Sequence, residues 1–190
     1  MFSAGGYEAT SLRQIAGAAD VDLATLKYHF GSKSALFAEL YKEGHDGILA
    51  VLSPFLSQTA TVTTREEVEG AVDQLASGAA GFLFEYDWFC RLFLYRILED
   101  SSEISGLEEQ LEGIAFGMIE AAVQRLVDRG VLRPIDVRAM ITLLVSGITM
   151  WSVAATGKPG WLGRPTPEDP EWRPRVTAFV RDLLRRLLLG

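Results

Sequence analysis

Apolar residues recur at three- and four-residue steps along almost the whole chain, and no segment alternates apolar and polar residues between hairpin dipeptides; the pattern predicts an all-α protein. From Ser34, the residues Leu36, Phe37, Leu40, Tyr41, Gly44, Ile48, Val51, Leu52 and Phe55 share one face, predicting a helix that runs until Pro54 disturbs its end. The polar stretch Ser57 to Thr64 reads as a connector. Thr64 and Glu67 then form a capping box opening a helix with Val68, Val72, Leu75, Ala76, Ala79, Phe82 and Leu83 on one side. Trp88 to Leu98 is apolar nearly all round, so this short helix is surrounded or lines a cavity. A longer helix is expected from about Gly106 to Arg129, stopped by Gly130. An uncharged helix from near Val137 to about Ala155 reads as buried between others. The loop Gly157, Pro159, Gly160, Gly163, Pro165, Pro167, Pro170 follows, holding Trp161. The last helix starts near Arg173 and carries the stripe Val176, Phe179, Val180, Leu183, Leu184, Leu187, Leu188, with Arg175, Arg181, Asp182, Arg185 and Arg186 opposite.

The first 45 residues have a finer grain. Thr10 or Ser11 caps two turns of helix whose face is Leu12, Ile15, Ala16 and Ala19. Asp20-Val21-Asp22 makes a tight turn. Asp22 caps Leu23 to Phe30, from which Leu26 and Phe30, with Val21, can pack back on the first helix. Two short helices about such a turn describe a helix-turn-helix. Its second helix exposes Leu23, Ala24, Thr25, Lys27, Tyr28 and His29, a mixture of phosphate donors and small or apolar groups suited to a major groove. Gly31-Ser32-Lys33-Ser34 then turns into the long helix, with Lys33 and helix N–H groups where a phosphate could sit.

Composition narrows the possibilities. The chain has 190 residues, 48% hydrophobic, enough for a sizeable core, and its net charge of −7 excludes coating of nucleic acid by bulk charge. Any DNA contact is therefore local, and residues 1–45 carry four basic against five acidic groups. A lone cysteine, Cys90, allows no internal disulfide and reads as a buried small residue. With an N-terminus that lacks the regions of a signal peptide, it points to the cytoplasm. The uncharged run Ala139 to Gly157 is about long enough to span a membrane. It is broken by Thr142, Ser146, Gly147, Thr149, Ser152 and Thr156, so no membrane partner is expected. His29 and His45 have no cysteine partners at a structural-zinc spacing, so neither metal nor cofactor is expected. The absence of a nucleophile elbow, a phosphate loop or a catalytically spaced His and acid argues against an enzyme.

The ordered run Gly6-Tyr7-Glu8-Ala9-Thr10-Ser11-Leu12-Arg13-Gln14-Ile15-Ala16, then Ala18-Ala19-Asp20-Val21 and Thr25-Leu26-Lys27-Tyr28-His29-Phe30-Gly31-Ser32-Lys33-Ser34-Ala35-Leu36, resembles the DNA-binding signature of the tetracycline-repressor (TetR) family over about 40 residues. The resemblance implies a DNA-binding domain at 1–45, N-terminally incomplete because only Met1-Phe2 match the end of the family's first helix, and an effector-binding and dimerisation domain at 46–190. It places Ser11 and Thr25 at phosphate contacts and Arg13 within reach of a base or phosphate. Lys27, Tyr28, His29 and Lys33 fall on the backbone, and Leu23 and Ala24 head the recognition helix. Lys27 stands where the family usually has tyrosine, and Ala18-Ala19-Asp20 where a glycine is common. The expected function is a ligand-responsive repressor, a homodimer on a palindromic double-stranded DNA operator. A dimeric small-molecule-binding or interaction bundle with impaired DNA binding is the alternative.

The aromatic set Phe82, Phe84, Tyr86, Trp88, Phe89, Phe93 and Tyr95, with Phe116, Met118, Met150 and Trp151, suits either plain core or an effector pocket. As ligand contacts, Phe82, Trp88, Phe89, Phe93, Phe116, Met118, Met150 and Trp151 point to an apolar or aromatic effector. Ser146, Gly147 and Ala154 with the Val176 to Leu188 stripe give the dimerisation signal.

Overall fold

The structure, a computed structural model, describes residues 1–99, 101–104, 106–156 and 171–190, apart from the side chains of 107–110, 112, 148, 151–156 and 172. The expected loop with Trp161, and the side chains of Trp151, Ala154 and Trp172, lie outside the described residues. In chain order the helices are α1 (Phe2–Gly5), α2 (Leu12–Ala18), α3 (Leu23–Phe30), α4 (Lys33–Thr61), α5 (Arg65–Glu85), α6 (Asp87–Leu98), α7 (Leu107–Asp128), α8 (Val137–Thr156) and α9 (Trp172–Leu189), with a 3-10 turn at Ser102–Ile104 before α7. No strand occurs among the described residues, as the helical period requires.

Local chemistry sets most helix starts. Ser11 and Gln14 cap α2 reciprocally, Asp22 accepts from the Thr25 N–H at 2.8 Å to start α3, Ser32 accepts from the Ala35 N–H at 3.0 Å to start α4, and Thr64 with Glu67 caps α5. Helix α4 departs from expectation, because it continues through Pro54 to Thr61 and shortens the connector to Val62–Thr64. Proline forfeits one backbone bond, but Leu52 and Phe55 are buried on either side of it. The freed end is then clamped from α7's terminus, where the Arg129 guanidinium donates to the carbonyls of Thr59, Ala60 and Val62 at 3.0, 2.7 and 2.8 Å.

Two helices are used differently from the expectation. The α9 stripe is occupied within the chain: Val176, Val180, Leu184 and Leu188 are buried in the bundle core with α5, and Arg185 grips Asp73 of α5 through two bonds of 2.7 and 2.6 Å. This part of the stripe completes one chain's core, whereas Phe179, 53% exposed, faces outward. Helix α8 is not buried all round, since Ala139, Thr142, Leu143, Ser146, Gly147 and Met150 lie exposed along one side. Leu143 and Met150 are 70% and 54% exposed. On α6, Phe89, Cys90 and Leu92 are buried, but Ile97 and Leu98 at its C-terminal end face solvent.

The core falls into two clusters. One, between α5, α7, α8 and α9, fills the bundle. The other joins Phe2, Tyr7, Ala16, Leu26, Leu36, Phe37 and Tyr41 of the N-terminal head to Phe89 and Leu92 of α6 and to Ile104. The expected boundary at residue 45 thus falls inside α4, which serves both clusters. At Gly44 the two helices meet so closely that a Cβ would lie 1.9 Å from the Phe89 ring. Gly44→Ala is expected to lower stability by about 1–3 kcal/mol through overpacking. Gly70→Ala, in α5 with nothing within 4 Å of the added atom, is expected to raise it by roughly 0.5–1 kcal/mol; denaturant titration of both variants checks the pair.

His45, 4% exposed, sits beside the Tyr41 and Phe89 rings. Burial lowers its pKa from 6.5, opposed by Asp46, so the fold prefers the neutral imidazole. The unfolded chain binds the proton more readily, so stability is full above pH 6.5 and falls as pH drops from there toward the folded pKa. Denaturation midpoints between pH 5 and pH 7.5 are expected to show this slope, and His45→Gln to flatten it.

Candidate DNA-binding interface and ligand cavity

Helices α2 and α3 pack across the turn as a helix-turn-helix, with Ala16 and Leu26 buried between them and the head. In the turn Asp20 takes φ 55°, a left-handed conformation that aspartate tolerates where the family commonly uses glycine. Val21 and Phe30, expected to pack back, are 40% and 37% exposed; they sit at the ends of α3, beyond the short α1.

The sequence-predicted DNA contacts take up three situations. Arg13, Ala24, Lys27, Tyr28 and His29 are exposed, Tyr28 by 86%, its ring edge-on to that of His29 at 5.3 Å. Leu23 is half-buried at the head of α3. Ser11 and Thr25 are exposed but already hydrogen-bonded: the Ser11 hydroxyl donates to Gln14 Oε1 at 2.8 Å and the Thr25 hydroxyl to Asp22 Oδ2 at 2.6 Å. Those Thr25 bonds hold the Asp22 carboxyl below its ordinary pKa, keeping a negative charge beside the recognition helix. Lys33 is half-buried and turned inward. Its Nζ donates to the Tyr7 carbonyl at 3.2 Å and lies 4.0 Å from the centre of the Tyr7 ring.

Within the bundle, α4 to α9 line a partly open cavity of about 200 Å³. Ile48, Leu52 and Phe55 of α4 form part of its wall, with Phe82, Phe89, Cys90 and Phe93 on another side and Ile141, Leu144 and Thr149 from α8. Among the described residues no charged side chain lines it, and the polar groups there are the buried Thr149 hydroxyl and the Cys90 thiol. Of the expected ligand contacts, Phe82, Phe89 and Phe93 reach the cavity. Trp88 packs beside Tyr86 and Phe89 in the other cluster, and Phe116 packs on the bundle core. Met118 and Met150 face outward because they lie on the exposed sides of α7 and α8. The aliphatic walls from α4 and α8 were missed because a lining residue and a core residue have the same period in sequence.

Sequence reasoning also missed Tyr7, Glu99 and Glu103. The Tyr7 N–H donates to Glu99 Oε2 at 2.8 Å and its hydroxyl to Glu103 Oε2 at 2.5 Å. Burial, reinforced by the Glu103 hydrogen bond and charge, pushes the Tyr7 pKa up to about 12. These partners are 92 and 96 positions away, and no local signal marks them.

Among the described residues no helix is long and apolar enough to cross a membrane, and no group of three or more His, Cys, Asp or Glu is placed to hold a metal ion.

Comparison with known proteins meets this geometry at the N-terminus. Residues 1–40 match the model of the bacterial regulatory proteins of the tetR family. The probable HTH-type transcriptional regulator YttP of Bacillus subtilis (strain 168) is 34% identical over 68 residues, a match spanning 36% of this chain and 33% of that protein. The fold continues beyond it: the TetR family transcriptional regulator PfmR from Thermus thermophilus superimposes with a TM-score of 0.68 at 24% identity, covering 97% of this chain and 92% of PfmR. AibR, solved in complex with isovaleryl coenzyme A and operator DNA, gives 0.63 at 17% identity, covering 98% and 91%. Residues 1–40 thus carry the signature of the tetR family of bacterial regulatory proteins, set on a helix-turn-helix and followed by a helical bundle whose fold is similar to that of TetR family regulators.

Proposed function

We propose that this chain is a cytoplasmic, ligand-responsive transcriptional repressor that reads double-stranded DNA with α3 and binds a neutral apolar or aromatic effector in the bundle cavity. One observation carries the reading: α4 is continuous from the head core, through Leu36, Phe37 and Tyr41, to the cavity wall, through Ile48, Leu52 and Phe55. Filling the cavity bears on the helix that aims the recognition helix. YttP, a probable HTH-type regulator, and AibR, crystallised with an acyl-CoA and operator DNA, support the two halves of this reading. The uncharged wall favours a ligand whose buried part carries no charge.

The exposed side of α8 recurs at i, i+3, i+4, i+7, i+8 and i+11 with small and apolar residues, the spacing of a helix that meets another helix. A second copy of the chain on this face forms a two-fold homodimer, which presents two recognition helices to a palindromic operator. Leu143→Glu is expected to convert the dimer to monomer in sedimentation velocity while leaving the helical content unchanged.

DNA reading is tested with duplexes from the region flanking the coding sequence, titrated at several salt concentrations. Lys27→Ala is expected to weaken binding evenly across sequences and to reduce the salt slope by about 1, as removal of one phosphate contact does. The alternative, a dimeric ligand-binding bundle with impaired DNA binding, draws on the net acidity of residues 1–45 and on the inward turn of Lys33. It is favoured if the folded chain binds no duplex at low salt.

A further inference from the structure

Helix α6 touches two parts of the molecule that the proposed function keeps apart. Its first two turns, with Phe89, Cys90 and Phe93, belong to the cavity wall. Its far end and the 3-10 turn beyond grip the segment leading into the helix-turn-helix. Glu99 takes the Tyr7 N–H, Glu103 takes the Tyr7 hydroxyl, and the Tyr95 hydroxyl donates to the Ala4 carbonyl at 3.0 Å. The fit at Gly6 is tight. It has φ 82°, and the Glu99 carboxylate fills the place of a Cβ, 1.9 Å from where that atom would stand, so no other residue seats here without displacing Glu99. From the opposite side Lys33, at the start of α4, donates to the Tyr7 carbonyl and covers its ring. Tyr7, 1% exposed, therefore joins two carboxylates of the bundle to an ammonium of the DNA-reading head.

We infer that Glu99, Glu103 and Tyr7 form a latch through which the cavity controls the head, with the two glutamates acting as positioning residues for Lys33 and the recognition helix. The inference rests on the cavity being the effector site. A ligand pressing on Phe89 or Phe93 displaces α6, a rigid rod whose far end carries Glu99. Hydrogen bonds of 2.5 and 2.8 Å do not stretch by an ångström and survive, so the latch is closed or open rather than graded. Once it opens, Tyr7 has no hydrogen bond to the bundle, and Lys33 loses the fixed carbonyl and ring that hold it. The Tyr7 hydroxyl, with its raised pKa, remains a donor at neutral pH, so ligand rather than tyrosine ionisation sets the state.

The test uses the full chain and N-phenyl-1-naphthylamine, a neutral probe that fluoresces in apolar cavities, with hydrogen exchange of residues 7–36 read with and without it. In the wild type the probe is expected to raise exchange of the head amides several-fold. In Glu99→Ala with Glu103→Ala, probe affinity is expected to stay within twofold of wild type, while head exchange is already raised and no longer responds. If this double variant does not fold, Tyr7→Phe, which removes the hydroxyl's bonds to Glu103 and Ser34, carries the same comparison. Wild-type probe binding without a change in head exchange, or a variant that responds as the wild type does, overturns the latch and leaves the cavity reading standing. Failure of the probe to bind the wild type overturns the cavity reading, and the latch with it.

Discussion

The Phe89 ring seated against the bare backbone of Gly44 is the contact on which the two halves of this molecule depend. Only a glycine lets α6 come so near to α4, and only a large flat side chain fills the notch that results. Phe89 also packs edge-on against Tyr41, whose ring continues through Phe37 to Phe2 and Tyr7, so one aromatic column runs from the cavity wall into the head. A head this small has too little apolar surface for a core of its own. It takes part of its core from the bundle, so head and bundle share packed side chains across their boundary.

Most of the architecture was legible because it is written locally. Caps at Ser11, Asp22 and Thr64 and the glycine stop after α7 are short-range chemistry, and the α9 stripe shows its period openly. The errors came where distant groups overrule local ones. Ser57 to Thr61 is polar enough to read as loop, yet Arg129 from another helix takes the end carbonyls and extends α4 through it. The apolar character of α9 is real, but sequence does not tell whether such a stripe meets its own chain or another.

The candidate site divides on the same line. Exposed positions of α3 follow from the order of residues in the signature, since a short capped helix leaves few choices for what faces out. The cavity was half legible: Phe82, Phe89 and Phe93 belong to it, whereas Met118 and Met150 are as apolar but look outward. Hydrophobicity ranks residues for burial and says nothing about which of them border a void. Tyr7 and its two glutamates were invisible, since a carboxylate on a distant helix end reads as ordinary solvated charge until the fold brings it to a buried N–H.

Pro54 gives the long helix a mechanical property. Its missing N–H leaves one weak point in a rod whose end beyond it is fastened by Arg129. With a rise of 1.5 Å per residue, Gly44 lies about 15 Å from that point and Lys33 roughly 32 Å. Any rotation about Pro54 therefore moves the start of α4 about twice as far as it moves the notch that holds Phe89, so the rod has the geometry of a lever with a gain near two.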